Sequence, residues 1–317
     1  MREHGSMRRT LIASVLAGLL LVACGSTPST SSPGTAPPSA NTNFSLEVAS
    51  TDLYAGIPLR VQVGVFGSTD QGVELLTGGS IPLTLVAADG GDPIEGQARY
   101  IPAPGTPSAK DPGLTPPSQA RGVYQLDDIT FPTTGVWQVQ LSFTAGEQPI
   151  DLTAQFPVAD KPALPAPGQA ALKTANLTMA DKGDPQAIDS RAQDGAPVPD
   201  PELHQDTIAG AIADHRAALA LFATPVYCVS QFCGPTSDAL EQLAKKGPAT
   251  ADYIHVEIWQ DFQTSTVNKA AGQWLLRNGD LTEPWLFLIG PDGTIVDRWG
   301  PLFDPAEVRA ELVKVAG

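Results

Sequence analysis

Between residues 43 and 160 the apolar side chains recur at every second position, and that period of two limits what the first half of this chain can become. In Leu59-Arg60-Val61-Gln62-Val63-Gly64-Val65 every odd position is aliphatic, and from Trp137 through Val139 and Leu141 to Phe143 the odd positions are again the apolar ones. Alternation of this kind specifies strands with one buried face. Further strands are expected at 44–49, 81–87, 122–126 and 152–158, divided by turn signals such as Asp89-Gly90-Gly91-Asp92-Pro93 and Thr133-Thr134-Gly135. The Pro- and Gly-rich stretch 103–120 reads as a surface loop. With 30 glycines and 30 prolines in 317 residues, one long helical bundle is excluded.

About seven short strands without a helical stretch read as an immunoglobulin-like β-sandwich over residues 43–160. The run Tyr124…Phe131-Pro132-Thr133-Thr134-Gly135-Val136-Trp137 resembles a strand-turn-strand of small bacterial extracytoplasmic sandwich domains. Some domains of that type bind copper, which needs imidazole or sulfur ligands. Residues 43–160 contain no His, Cys or Met, so no copper site is expected within them. Their carboxylates show no calcium-loop spacing either. The expectation is a spacer or protein-contact module rather than a catalytic one.

Ahead of this domain, Arg8 and Arg9 precede an apolar stretch ending in Leu21-Val22-Ala23-Cys24. A basic head, a short apolar body and small residues before a cleavage point make residues 1–23 a secretory signal. Followed by Gly25, the LVAC run resembles the lipobox of bacterial lipoproteins. That resemblance implies that Cys24 is the lipid-modified N-terminus and that the protein sits on the extracytoplasmic face of the cell membrane. The alternative is an ordinary signal peptide with an incidental cysteine. Residues 24–42, Ser/Thr/Pro/Gly-rich and uncharged, form a tether. No second long apolar run follows, and a net charge of −15 repels phosphate backbones, so no nucleic-acid partner is expected.

Residues 161–202, rich in Pro, Ala, Asp and Gly, read as a linker that runs over the surface of the next domain, with Leu177 and Ile188 as anchors. From 203 to 317 helical and strand patterns alternate. A helix at 207–215 and a buried strand at 217–222 are followed by a helix carrying Leu240 and Leu243, and then by a strand at 253–259. A helix at 267–276 precedes strands at 285–289 and 294–299, joined by Gly290-Pro291-Asp292-Gly293. A last helix is opened by Asp304-Pro305-Ala306-Glu307. This order suggests an α/β layer structure with a mixed sheet.

Strand, then Phe232-Cys233-Gly234-Pro235, then helix resembles the WCGPC turn of thioredoxin. Thr282-Glu283-Pro284 before Trp285-Leu286-Phe287-Leu288-Ile289 looks like the cis-proline segment that faces that turn. Phrases such as FATPVYC, YIHVEIW and TEPWLFL resemble a group of uncharacterised bacterial secreted thioredoxin-like proteins. The resemblance covers about 115 residues and implies a thioredoxin-like domain, with Pro284 and Glu283 shaping the substrate groove. The chain departs from the family where Thr236 takes the place of the second cysteine. Cys228 lies five residues upstream of Cys233, giving C-x4-C.

A thiol is nucleophilic as thiolate, which a helix N-terminus stabilises. Cys233, at the start of a helix, is therefore the expected attacking thiol, with Cys228 resolving. With Cys24 lipidated these are the two remaining cysteines, and an exported pair is expected to be oxidised. The reading that follows is thiol–disulfide exchange, with exported protein thiols or a membrane electron donor as partners and no cofactor. A binding or scaffold lipoprotein with an inert structural disulfide is the alternative, and metal delivery through the two thiols a third idea. The Pro/Thr/Cys spacing of a peroxiredoxin is not met, since Val226 occupies its first position and Pro225 is one residue out of step. His255, alternating with apolar neighbours, reads as a core histidine; His204 and His215 have no ligand-like spacing, and no metal site is expected. Trp259, Trp274, Trp285 and Trp299 read as packing. Serine-hydrolase, phosphate-loop and paired-carboxylate signatures are not found.

Overall fold

The computed structural model describes residues 43–70, 72–145 and 148–317. The signal, Cys24 and the tether lie outside the described residues. In the first half the period of two produces nine strands: β1 (Asn43–Val48), β2 (Pro58–Thr69), β3 (Gly72–Thr77), β4 (Ser80–Ala87), β5 (Ile94–Pro102), β6 (Gly113–Thr115), β7 (Gly122–Thr130), β8 (Gly135–Ala145) and β9 (Gln148–Val158). They are hydrogen-bonded as one antiparallel sheet in the order β6-β3-β2-β7-β5-β4-β8-β9, with β1 on β2. Strand β2 pairs with β7 through Pro58–Val63 and with β3 through Phe66–Thr69, while β1 runs along Val63–Ser68. The sheet curls until its far ends meet: Phe44 of β1 lies edge-on to Phe143 of β8, ring centroids 5.0 Å apart. Val61, Val63, Leu83, Leu85, Tyr124 and Trp137 fill the enclosed core. Within the stretch expected to be loop, β6 forms a short edge strand.

The second half builds a smaller mixed sheet. Its elements are α1 (Ile208–Ala213), β10 (Ala217–Ala223), α2 (Cys233–Lys246), β11 (Ala251–Glu257), β12 (Trp259–Asp261), β13 (Thr266–Val267), α3 (Lys269–Leu275), β14 (Trp285–Ile289), β15 (Ile295–Trp299) and α4 (Pro305–Ala316). The strand order is β11-β10-β14-β15, with β10 and β11 parallel and β14 and β15 antiparallel to their neighbours; β12 and β13 pair separately. Strand β10 is apolar at every position because both faces are covered. Leu219 and Leu221 pack with Leu240 of α2 and Leu312 of α4, whereas Ala220 and Phe222 pack with Ile208 of α1 and Trp274 of α3. Asp304 caps α4 by accepting the Ala306 N–H, with proline at the first helical position.

Segment 161–202 belongs to this layer. Gly168 donates to the Ile295 carbonyl, Ile295 to Gln169 and Ala171 to Gly293, so the segment extends the edge at β15. Leu164 and Ala171 enter the core, and the Trp274 indole donates to Thr174 Oγ1 at 2.9 Å.

The described residues fall within one compact unit, and the two sheets share a polar seam. The alternation of β2 implies a solvent face for Arg60 and Gln62, yet that face meets β15 and α4. Gln62, 1% exposed, donates through Nε2 to Gln125 Oε1 and to the Leu302 carbonyl, both at 2.7 Å. Arg60 donates to Glu307 Oε1 at 2.6 Å and, through both terminal nitrogens, to Asp297. Arg298 reaches back to Asp52 at 2.7 Å, both side chains almost fully buried, and Asp52 also accepts the N–H groups of Ala163 and Leu164. A buried carboxylate with this many donors holds the β1–β2 connection against the second sheet.

Candidate functional site

The segment between β10 and α2 carries Cys228, and Cys233 opens α2 directly after it; the two are joined as a disulfide with Cα atoms 5.9 Å apart. Its geometry follows from three anchors. At its base Val226 N–H donates to Ser190 Oγ at 3.2 Å, and the Tyr227 ring stacks flat on Phe262 at 3.9 Å. At its far end Gln231 adopts a positive φ of 63° and accepts from Arg121 of the large sheet at 2.9 Å. Directly after it Phe232 packs against an apolar cluster of Ile101, Ala103, Val123 and Leu302. The loop is thus held by both sheets.

Cys233 is the first residue of α2 and is fully buried, whereas Cys228 is half-buried and followed by Val229, 93% exposed. The Cys228 sulfur accepts the Cys233 N–H at 3.3 Å and lies 3.3 Å from the Ser230 hydroxyl. An N–H at a helix N-terminus stabilises negative charge on a sulfur placed there. Thr236, one turn into the helix, bonds back to the carbonyls of Phe232 and Cys233 at 2.9 and 3.0 Å. It closes the first turn of the helix.

Against the sulfurs stands the segment before β14, where the Glu283–Pro284 peptide is cis. A Glu283 carboxylate oxygen comes within 4.8 Å of both sulfurs. Burial is the main cause that pushes this carboxyl up to about 7, and the charge of Glu257 adds to it, opposed by the Val229 N–H that donates to it. Its Oε2 is buried without a hydrogen-bond partner. Glu257, at the end of β11, is itself raised by burial and accepts the N–H groups of Ser190 and Ile258 at 2.8 and 2.9 Å. The approach of Gly300 keeps this corner closed: a Cβ there would stand 2.7 Å from the Trp285 ring and 3.0 Å from the Pro284 carbonyl. Nothing in the pattern of the sequence marks Gly300, because its neighbours come from another strand.

Beside the cysteine loop an apolar groove of about 340 Å³ runs between the two sheets, lined by Val48, Phe66, Val73 and Leu75 on one side and Gln231 and Phe232 on the other. The structure therefore brings Cys228, Cys233 and Glu283 together, with Pro284 next to them, and adds a wall from the large sheet that the sequence pattern does not announce. His215 is remote, its Nδ1 3.2 Å from the Pro291 carbonyl. His255 and His204 are both fully buried, away from solvent.

No protein-family model matches the chain, and neither a curated protein nor a solved structure matches it.

Proposed function

We propose that the chain is a membrane-anchored extracytoplasmic protein, with an immunoglobulin-like first domain and a thioredoxin-like second domain, that exchanges disulfides with exported proteins. The observation that carries this reading is the meeting of three features at one place. The Cys228–Cys233 disulfide closes onto the N-terminus of α2, Cys228 is only half-buried, and Glu283 faces it. The anchor rests on the LVAC resemblance at Cys24. Among the described residues no helix is long and apolar enough to cross a membrane.

Exposure favours Cys228 as the sulfur that meets the substrate. A substrate thiolate attacks Cys228 Sγ, forming a mixed disulfide and expelling Cys233 as thiolate, which takes the proton held by Glu283. A second substrate thiolate then attacks the mixed disulfide at its own sulfur, leaving Cys228 as thiolate beside the Cys233 N–H. The substrate gains a disulfide, and the protein gains two electrons that it passes to another disulfide-bearing protein. Every step reverses when the potentials favour reduction of the substrate. The groove walled by Val48, Phe66 and Val73 would take an extended apolar segment of an unfolded substrate, which gives the first domain a part in recognition.

A second reading, an inert staple in a binding lipoprotein, draws support from the complete burial of Cys233. The reduction potential of the pair in the full-length protein separates the two. A value above about −250 mV places it among exchanging dithiols, and one below about −300 mV makes it structural and removes the enzyme reading.

A further inference from the structure

Asp189, His204 and His255 converge from three parts of the chain. Asp189 follows the 3-10 turn Pro185–Ala187, His204 closes the turn Pro201–His204, and His255 lies in β11. All three are at most 1% exposed, and one carboxylate oxygen and one nitrogen of each ring lie within 4.8 Å of one another. Both nitrogens of His204 and Nδ1 of His255 are buried without a hydrogen-bond partner. Buried polar atoms are nearly always satisfied, so two imidazole nitrogens without a hydrogen bond, His204 Nε2 and His255 Nδ1, facing one carboxylate call for an occupant. Asp189 Oδ2 stands 3.5 Å from His204 Nε2 and 3.3 Å from His255 Nδ1. Charge-assisted bonds would close to about 2.7–2.9 Å. The observed separations instead match the edge, about 3.3 Å, of a tetrahedron of nitrogen and oxygen ligands around an ion at about 2.0–2.1 Å.

We infer that Asp189 Oδ2, His204 Nε2 and His255 Nδ1 form a buried site for a divalent transition-metal ion, with zinc the best fit to two imidazoles and a carboxylate. The surroundings orient the ligands as such a site requires. His255 Nε2 lies 3.1 Å from the Ala223 carbonyl, so that nitrogen donates to the backbone and Nδ1 is the one turned toward Asp189 and the ion position. Arg191 grips Asp189 at both oxygens, Nε to Oδ1 at 3.0 Å and Nη2 to Oδ2, the ligand oxygen itself, at 2.7 Å, and its charge is answered by Asp200 at 2.8 Å. The two carboxylates and the guanidinium leave one negative charge beside the site, which favours a cation. An ion there fastens segment 161–202 to β11. It also fixes Ser190, which holds the base of the cysteine loop through Val226. The site stands whether or not the disulfide exchanges.

The test begins with the full-length chain, purified without chelator or immobilised-metal chromatography, and its metal content by mass spectrometry. About one zinc per chain is expected, retained in the Cys228→Ser/Cys233→Ser double variant and lost in His204→Ala. After stripping with chelator, Co²⁺ should give visible d–d bands without thiolate charge transfer, and Zn²⁺ should raise Tm by several degrees. Because these readings use the unaltered ligands, they decide the matter even where His204→Ala fails to fold. Less than about a tenth of an ion per chain with no response of Tm to Zn²⁺ or Co²⁺ would overturn the proposal. Metal that leaves with the two cysteines and stays in His204→Ala would overturn it equally.

Discussion

The second sheet carries two clusters of chemically active side chains, and they differ in what they leave open. Around Cys228, Cys233 and Glu283 one cysteine is only half-buried, an exposed valine follows it and a groove lies beside the loop. Around Asp189, His204 and His255 every member is closed off from solvent. A group that must meet a macromolecule needs an accessible atom, whereas a group that holds an ion permanently gains from excluding water. Burial alone therefore does not tell the two apart. The difference lies in whether any reacting atom can be approached.

The sharpest way to break the comparison is to remove a sulfur. Cys233→Ser should abolish disulfide exchange with an unfolded dithiol protein, because a two-electron cycle needs both cysteines. It should also cost about 2 kcal/mol of stability, as expected for so short a closed loop. If only the stability changes and no exchange existed to lose, the open cluster is a staple.

Next in size is the seam that keeps the groove in place. Arg298→Ala leaves Asp52 buried without its charged partner, which should cost about 3–5 kcal/mol in a denaturant titration. A loss under about 1 kcal/mol would mean that the two sheets dock without this pair.

Glu283→Gln addresses the proton. Facing this carboxyl are the two sulfurs, the charge of Glu257 and the Val229 N–H. Exchange should slow about a hundredfold, the lower end for a lost general acid–base group, with the protonation step near pH 7 gone from its pH profile. The linkage has a definite sign. The folded carboxyl near 7 holds its proton above the unfolded value of 4.5, so the native state binds more protons between these pH values. Wild-type stability should therefore fall as pH rises from about 4.5 to 7, and the variant should lack that fall. The smallest effect is expected at the groove wall. Val73→Asp, at a position 55% exposed, should raise KM for an apolar substrate a few-fold while kcat and the potential stay unchanged.

Local physics wrote much of this molecule into its sequence. The alternation in β2 and β8, the uniformly apolar β10 and the Asp304-Pro305 cap each name their own element, because the pattern and the structure it specifies span the same few residues. The pairing of Cys228 with Cys233 was legible for the same reason. Short edge strands such as β6 were not, since three residues are too few to show a period.

Partners that lie far apart in the chain were left to the tertiary structure. That Gln62 and Arg60 face β15 and α4, that Phe66 and Val73 wall the groove, and that Asp189 leaves an apparent linker to meet two histidines all depend on packing. The alternation of a strand states which residues share a face but not what covers it. The relative exposure of the two cysteines was decided in the same way: position at a helix N-terminus marks Cys233, and only its packing with Leu221, Leu240, Leu286 and Phe303 buries it while Cys228 stays half-buried.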